Sequence, residues 1–444
     1  MTTQAQRGPV TSTFDYLDAL QDARQHTLAL VADLSDEQLI GPPLQIVNPL
    51  LWEIGHVAWF QEYWVLRHLN GRAPILSNGD ALYDSAKVAH DTRWDLQLRS
   101  RAETLAYMQE VLDRIIDQYE RAEELDVRAE YFLSLALFHE DMHDEAFGYT
   151  RQTLGYPKPG FDKSAGGQTN DQTAIDEDLG DAEIPGGRFL LGSLPDQPFI
   201  FDNEMDTHEV QIEPFAISRT SVTNVEFAAY VDDGGYERRE FWGQDGWGWR
   251  QSVNANHPVY WEQNGGQWLR RNFDRLVPLE DYLPVLHVNW FEAESYCRWA
   301  KRRLPTEAEW EMAAGAEPSV NGAADSKSKR RFPWGEKPAE PGRANLDWRA
   351  GGCIDARWLP ESDSAFGCRQ MIGNVWEWTA SDFNPYPGFK PGPYKEYSAP
   401  WFGDHKVLRG GCWTTRSRII HNAYRNFYKP DRRDVWAGFR TCAL

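Results

Sequence analysis

Apolar residues recur at helical spacing in the first third of the chain. Four segments carry the pattern: 14–34, 48–70, 101–123 and 127–152. The run Gly41-Pro42-Pro43 and the stretch 71–100 interrupt them. Four helices of this length typically pack as an antiparallel bundle, so we predict a four-helix bundle over residues 12–156.

The amino-acid composition of the chain changes after this bundle. Residues 157–182 are polar, acidic and rich in glycine, which predicts a linker. From 183 to 444 the chain alternates short strand-like pieces, such as Arg188–Leu191, His208–Ile212 and Val407–Leu408, with turn signals. Helical spacing returns at 221–233 and 290–301, while 234–282 and 316–365 resemble long loops. The second domain is therefore predicted to be α+β, which makes the protein an α+β multidomain chain.

Histidines interrupt two of the apolar helix faces. Phe132, Ala136, His139, His143 and Phe147 share one face of the last helix, so the His139/His143 pair at i, i+4 spacing points inward. Two unpartnered imidazoles on an apolar face would cost several kcal/mol, of the order of 2–7 kcal/mol for each buried polar group. A pair with this spacing can bind one metal ion.

A third inward histidine lies on the second helix. Trp52, His56, Trp59, Tyr63 and Leu66 follow the same helical spacing. Three histidines from two helices can form a triad that leaves coordination positions open, as in catalytic zinc or non-haem iron sites. A lone inward histidine is more often a hydrogen-bonded core residue, and the spacing does not separate zinc from iron.

The acidic residues around the paired histidines need a separate interpretation. Glu140, Asp141, Asp144 and Glu145 lie on the other sides of this helix. We expect them to form its solvated side, with one of them available to orient an imidazole.

Composition excludes several classes of protein. The 444 residues contain 46 Lys and Arg against 67 Asp and Glu, a net charge of −21, which argues against nucleic-acid partners. No apolar run approaches the length of a membrane span, and the first ten residues lack one, which predicts a cytoplasmic protein. Five cysteines without a CxxC pair favour reduced thiols over a disulfide framework or a cysteine zinc site.

Several motifs resemble known families. IPGGRFLLGS, PTEAEWEMAA, FPWG, GNVWEWTASDF, VLRGGCW, YRNFY and AGFR occur, in this order, in the second domain. They resemble the formylglycine-generating-enzyme (sulfatase-modifying-factor) fold, a C-type-lectin-like domain. The segments GHVAWFQE and HEDMHDEA are similar to DinB-like metal-binding bundles. Together they resemble the non-haem iron synthases that make ergothioneine-type sulfoxides, ovothiols or selenoneine.

This resemblance implies a reaction and its cofactor. Fe(II) would be held by His56, His139 and His143. The substrates would be O2, hercynine and a small thio- or seleno-donor, with sulfur or selenium joined to C2 of the imidazole. The family's catalytic tyrosine falls on Tyr394 or Tyr397, whose hydroxyl would supply a proton or an electron, and Tyr394 is our first choice.

The resemblance also implies substrate-binding residues. The hercynine segment maps to Asn426, Phe427 and Tyr428, where aromatic faces suit a trimethylammonium group. Polar anchors for the donor are Arg93, Arg425 and Asp431, while Arg432 is equally well explained as surface charge.

Some positions depart from the sulfoxide-synthase pattern. Met142 stands where those enzymes usually carry a glutamine that binds substrate, and WEIGH replaces a WHLAH-type segment. The stretch YDSAKVAHDTRWDL offers Lys87 and Arg93 but not the pattern expected for a glutamylcysteine donor. These features favour the selenoneine branch, with a selenosugar donor.

Two other function classes remain open. A copper-type formylglycine-generating oxidase would need paired cysteines, for which Cys412 and Cys442 are the candidates. A non-catalytic lectin-like module would leave the inward histidines without a purpose. The oligomeric state is not indicated.

Overall fold

The computed structural model describes residues 15–122, 124–161, 179–195, 197–318 and 324–444, with the side chains of 324–328 left out. The chain divides into two compact units, residues 1–143 and 144–444. Most of the predicted linker, at 162–178, and the first three residues of the predicted bundle lie outside the described residues.

The helices of the first unit match the four predicted segments. Their bounds are α1 Tyr16–Val31, α2 Asp36–Ile40, α3 Leu50–Gln61, α4 Gly79–Tyr83, α5 Arg101–Tyr119 and α6 Val127–Leu154. Ser35 and Ser100 begin α2 and α5 with capping boxes, in which serine and a side chain three residues later satisfy each other's backbone N–H groups. The short helix α4 falls in the stretch 71–100, where the sequence predicted only a break, and α2 lies just before the predicted break at Gly41-Pro42-Pro43.

Helix α3 is buried on all sides. Every residue from Leu50 to Gln61 is buried, which fits a run with only two charged or titratable side chains, Glu53 and His56. The helix continues into a π-helical stretch over Glu62–Leu69. Such wide turns are rare and shift the side chains that follow them around the helix axis.

One arginine connects four helices of the first unit. Arg24 of α1 is 2% exposed and its Nε donates to Glu140 of α6 at 2.9 Å. Its Nη2 donates to Gln61 of α3 at 2.8 Å, and its Nη1 donates to the carbonyl of Met108 in α5. Because removing one partner of a buried ion pair strands the other charge, this cluster fixes the register of the helices more than it adds net stability.

The second unit contains short strands and four further helices within its described part. The helices are α7 Asn224–Asp232, α8 Gln244–Ser252, α9 Trp290–Trp299 and α10 Glu307–Gly315. The strands are β1 Asp181–Ile184, β2 Gly187–Leu191, β3 His208–Ile212, β4 Phe215–Ser218, β5 Trp261–Asn264, β6 Gln267–Asn272, β7 Arg275–Pro278, β8 Arg302–Arg303, β9 Ala316–Pro318, β10 Ala324–Lys329, β11 Trp376–Asp382, β12 Lys406–Arg409, β13 Asn426–Tyr428, β14 Ala437–Gly438 and β15 Cys442–Ala443.

Two sheets organise this unit. One has the order β1-β4-β15-β8 and the other β13-β12-β11-β14. In the second sheet, β12 pairs antiparallel with both β11 and β13, and Val407 lies opposite Phe427. This register places the YRNFY segment at a sheet edge, which positions the candidate substrate residues discussed below.

The prediction of long loops was partly wrong. The stretch 234–282 contains α8 and the three-stranded sheet β5-β6-β7. Its strands are short and mostly exposed or half-buried, so they bury no apolar face that a hydrophobic pattern could reveal. In the described residues, no helix has the length and apolar composition needed to cross a bilayer.

Candidate functional site: three histidines and a tyrosine cluster

The first unit brings the three predicted histidines together. One ligand atom from each of His56, His139 and His143 lies within 4.8 Å of the others. The ring centroid of His56 is 5.1 Å from that of His139 and 5.0 Å from that of His143. His56 and His139 are 3% exposed, and the side chain of His143 is 19% exposed. This geometry could hold one metal ion, with two of the three histidines buried.

Hydrogen bonds fix the tautomers of two imidazoles. The Nδ1–H of His56 donates to the carbonyl of Tyr83 at 2.7 Å, because a carbonyl can only accept. The Nδ1 of His143 lies 2.6 Å from Oε1 of Glu53. Metal-ligating histidines commonly donate their second ring N–H to a carbonyl or carboxylate, which leaves Nε2 for the metal. The residues present therefore fit a metal ion.

A glycine makes the contact between Tyr83 and His56 possible. A Cβ on Gly55 would lie 2.3 Å from the Tyr83 ring, so only glycine lets that ring pack against α3. The neighbouring backbone then brings the Tyr83 carbonyl to the His56 ring. This explains physically why WEIGH carries glycine directly before its histidine.

Burial also keeps the imidazoles neutral. Desolvation, followed by the nearby His143, holds the pKa of His56 well below its usual value. Desolvation likewise lowers the pKa of His139, with His143 and His56 adding to the effect. Neutral imidazole is the form that binds metals, so the site is electrostatically prepared for a cation.

Aromatic rings hold the histidines from both sides. Trp52 stacks on His56 with ring centroids 4.8 Å apart, and Phe60 stacks on His139 at 3.5 Å. Arg93 was predicted to bind substrate. Its guanidinium lies over the Trp52 ring, 3.9 Å from the ring centroid. Arg93 is thus brought into the surroundings of the histidines, although its guanidinium also donates to Asn48.

The expectation of a solvated acidic side on α6 was wrong. Glu140, Asp141, Asp144 and Glu145 are between 0% and 6% exposed. Glu140 pairs with Arg24, while Glu145 accepts from the indole of Trp376 at 2.6 Å and from Thr415 at 2.8 Å. The helix is surrounded by protein on more sides than its amphipathic pattern indicated.

Sequence reasoning missed the carboxylate that orients His143. It is Glu53 of α3, which is 1% exposed, and not a residue of α6. The available signal was a charged residue three positions before His56 in an otherwise apolar run. A buried charge in such a run requires a specific partner.

The candidate tyrosines lie in the second unit. Both are half-buried, at a 3₁₀ turn over Lys395–Tyr397, with ring centroids 6.0 Å apart. Tyr397 packs against Phe427 at 5.7 Å and against Phe201 at 4.7 Å. Desolvation raises the pKa of Tyr397 far above its usual value, and the charge of Glu204 adds to this.

The predicted hercynine segment forms strand β13. Phe427 stacks on Phe383 with centroids 3.9 Å apart, and Asn426 accepts a hydrogen bond from the backbone N–H of Phe427. Tyr428 is half-buried beneath the guanidinium of Arg432, which lies 5.2 Å from its ring centroid. The structure therefore places an aromatic surface next to Tyr397.

The other predicted substrate residues occupy different environments. Arg425 is 1% exposed and is held by Glu307 and by the carbonyls of Asn203 and Asn384. Asp431 is exposed, and its carbonyl accepts from Asn289. Met142 is half-buried on α6, between the two histidines of the pair.

The two candidate cysteines for copper chemistry lie in different elements. The thiol of Cys412, in the loop after β12, is 3.0 Å from the hydroxyl of Thr414, whereas Cys442 lies in β15 of the other sheet. Burial raises the pKa of both thiols, which disfavours the thiolate that binds metal.

Family models match both parts of the chain. Residues 19–146 match the DinB superfamily, and residues 171–443 match the sulfatase-modifying factor enzyme 1-like domain. The order of the two domains is the one predicted from the motifs.

Individual proteins extend this similarity over nearly the whole chain. A hercynine oxygenase of Mycolicibacterium smegmatis is 35% identical, over 95% of this chain and 97% of its own length. A formylglycine-generating enzyme of Streptomyces coelicolor is 31% identical, over 60% of this chain and 88% of its own. Among solved structures, PvdO from Pseudomonas aeruginosa is 22% identical over 59% of this chain and 93% of its own, with a TM-score of 0.40.

Proposed function

Because the chain belongs to the family that joins a DinB domain to a sulfatase-modifying-factor-like domain and includes the hercynine oxygenases, we propose that it is an oxidoreductase acting on hercynine. The reaction is the Fe(II)- and O2-dependent joining of sulfur or selenium to C2 of the imidazole. The single observation that carries this proposal is the cluster of His56, His139 and His143.

The three histidines support the proposal of a redox-active metal. When bound, iron(II) with three imidazole ligands supplies dioxygen chemistry at coordination positions that the protein leaves open. Glu53 and the Tyr83 carbonyl hold two imidazoles in the required tautomer. Zinc would fit the same ligands, and the family relationship favours iron.

In this proposal, strand β13 binds hercynine and Tyr397 donates a proton during the reaction. The faces of Phe427 and Tyr428 suit a trimethylammonium group, which is attracted to aromatic rings. We assign the proton-donating role to Tyr397 in preference to Tyr394, because its ring packs on Phe427. The buried ion pair of Arg425 with Glu307 supports a structural role for that arginine.

The donor is proposed to be a selenosugar. Lys87 is 63% exposed and pairs with Asp84, so the 83–96 stretch offers Arg93 as its one buried cation. Two carboxylates of a glutamylcysteine would need more cationic anchors than this. The five cysteines are free thiols, which supports action in the reducing cytoplasm.

Product identification tests the proposal directly. The full-length protein is loaded anaerobically with Fe(II), given hercynine, and exposed to O2 with a selenosugar, cysteine or glutamylcysteine in separate reactions. Mass spectrometry should detect a hercynine–selenium adduct. A sulfur adduct alone would place the protein in the ergothioneine branch, and no adduct with any donor would reject the function. A His56→Ala variant, treated identically, controls for chemistry by free iron.

A further inference from the structure

The turn that carries Tyr397 is anchored in the domain by its neighbour Ser398. Within the stretch 387–404, Ser398 is the only buried residue, and it is 0% exposed. Inside the turn, the backbone N–H of Tyr397 donates to the carbonyl of Tyr394 at 3.2 Å. A single turn on the protein surface does not fix its own position, so the contacts of Ser398 determine where the ring of Tyr397 lies.

Two residues between β2 and β3 hold this anchor. The hydroxyl of Ser398 donates to Oδ1 of Asp202, while Oδ2 of the same carboxylate accepts from the backbone N–H of Gly392 at 3.0 Å. Nδ2 of Asn203 donates to the hydroxyl oxygen of Ser398 at 3.1 Å. Asp202 and Asn203 are 5% and 1% exposed, so these hydrogen bonds are shielded from water and correspondingly strong.

The same segment also contacts the tyrosine ring and the start of strand β13. Phe201 packs on Tyr397, with ring centroids 4.7 Å apart. The carbonyl of Asn203 accepts from Nη1 of Arg425 at 2.7 Å, and Arg425 directly precedes β13. Tyr397 in turn packs on Phe427 of that strand at 5.7 Å. The segment therefore fixes the tyrosine turn and the aromatic strand relative to each other.

The chemistry of the anchor requires a carboxylate at Asp202. Each of its two oxygens meets a donor, and both donors are neutral: the Ser398 hydroxyl and the Gly392 N–H. Asparagine has one acceptor oxygen, so it would leave one of these donors without its acceptor. Desolvation raises the pKa of Asp202, and the bonds from Ser398 and Gly392 oppose this shift. Burying a carboxylate is costly, which indicates a specific role for these two bonds.

We propose that Asp202 is a positioning residue for the reaction, which orients the hydroxyl of Tyr397 by holding Ser398 and Gly392. This inference rests on the proposed function, in which Tyr397 donates a proton. A general acid must lie within hydrogen-bond reach of the atom it protonates, and a displacement of about 1 Å can cost about 10² in rate. No local sequence pattern could reveal Asp202, because it lies 196 positions before Ser398.

Backbone hydrogen exchange of the full-length protein tests the anchor without relying on turnover. The N–H groups of Gly392, Tyr397 and Trp401 all donate hydrogen bonds in the native turn. In Asp202→Asn, exchange over residues 387–404 should accelerate roughly tenfold or more, because the turn then opens more often. Mass spectrometry of the proteolytic peptides measures this. Unchanged exchange would overturn the proposal.

Glu292 offers a matched control elsewhere in the second unit. It is 0% exposed and likewise accepts from one hydroxyl, that of Tyr236 at 2.6 Å, and from one backbone N–H, that of Asn289 at 2.8 Å. Glu292→Gln should accelerate exchange around Asn289 and leave residues 387–404 unchanged. Equal acceleration of 387–404 in both variants would indicate a general loss of stability and overturn the proposal.

A double-mutant cycle shows whether Asp202 acts through Tyr397. Asp202→Asn should lower kcat roughly tenfold, leave KM for hercynine and the donor within about twofold, and shift the product towards oxidised donor. Added to Tyr397→Phe, it should lower kcat little further, because the hydroxyl that it orients is already absent. Losses that multiply in the double variant would show that Asp202 acts independently of Tyr397, and would overturn the proposal.

The two measurements separate this inference from the proposed function. Faster exchange in Asp202→Asn, with no hercynine adduct formed by the wild type, would reject the function and support the anchor. Adduct formation by the wild type, with exchange and kcat unchanged in Asp202→Asn, would reject the positioning role alone. If Asp202→Asn does not fold, Ser398→Ala takes its place, since it removes only the hydroxyl that Asp202 holds. Unchanged exchange and kcat in Ser398→Ala would overturn the proposal.

Discussion

The histidine cluster and the tyrosine cluster lie on different kinds of backbone. His56, His139 and His143 stand on two long helices, where residue spacing dictates direction. Tyr394 and Tyr397 lie in a 3₁₀ turn within a segment that has no regular repeat. Helix geometry therefore predicted from the sequence alone that these three histidines would meet, as they do in the structure, whereas the tyrosines were predicted from a family resemblance.

The two clusters also differ in what surrounds them. The histidines are held by few hydrogen bonds and by close aromatic stacking on Trp52 and Phe60. Tyr397 packs against Phe201 and Phe427, and desolvation, with the charge of Glu204, raises the pKa of its hydroxyl. The first arrangement is suited to holding a cation in fixed geometry, and the second keeps a phenol hydroxyl protonated. Four predictions test this division, in order of decreasing effect.

Loss of a helical ligand should have the largest effect. His139→Ala should abolish stoichiometric iron binding, because two remaining imidazoles do not complete the triad in a packed bundle. Calorimetry or metal analysis of the purified protein measures this. The control is His68→Ala, which removes an exposed histidine of the π-helical stretch. One iron per chain with full turnover in His139→Ala would contradict the site assignment.

Removal of the Tyr397 hydroxyl should slow the reaction without affecting the metal. Tyr397→Phe should lower kcat by about 10²–10⁴, the usual cost of losing a general acid, while iron and hercynine still bind. The product should shift from the imidazole adduct towards oxidised donor, which mass spectrometry quantifies. Tyr394→Phe is the matched control and should change kcat far less. The opposite ranking would restore Tyr394 as the proton donor.

Substitution of Glu53, the partner of His143, should have an intermediate effect on iron binding. Glu53→Ala should weaken iron binding by about 10–100-fold, because the imidazole loses the acceptor that orients it. Glu53→Gln keeps an acceptor oxygen and should recover much of the affinity. Competition with a chelator gives both values. Equal losses in the two variants would indicate that packing, and not hydrogen bonding, accounts for the effect.

The smallest effect is expected at Arg93. Arg93→Lys should raise KM for the donor about fivefold, since a lysine cannot replace the planar guanidinium in either stacking or forked hydrogen bonding. Iron affinity should stay within about twofold, because Arg93 lies over Trp52, which in turn stacks on His56. An unchanged KM combined with lower stability towards urea would show that Arg93 only supports the Trp52–His56 stack.

The sequence predicted the elements that repeat regularly and missed those that do not. All four long helices were found, because each buries a continuous apolar stripe. The β5-β6-β7 sheet was missed because its short strands are mostly exposed or half-buried and bury no continuous apolar face. The acidic residues of α6 were misplaced because burial of Glu140 depends on Arg24, which lies 116 positions earlier. No local pattern reports such a partner.

That separation between Arg24 and Glu140 also affects how the protein is made. At about 5–20 residues per second, a ribosome needs about 6–23 s to synthesise the 116 residues between them. During this time the arginine lacks its carboxylate, and helix α3, whose residues are all buried in the finished unit, has no complete bundle to enter. His139 emerges one residue before Glu140, so closure of the bundle and completion of the ligand set fall at the same moment of translation. The proposed metal site is therefore complete only when the bundle is.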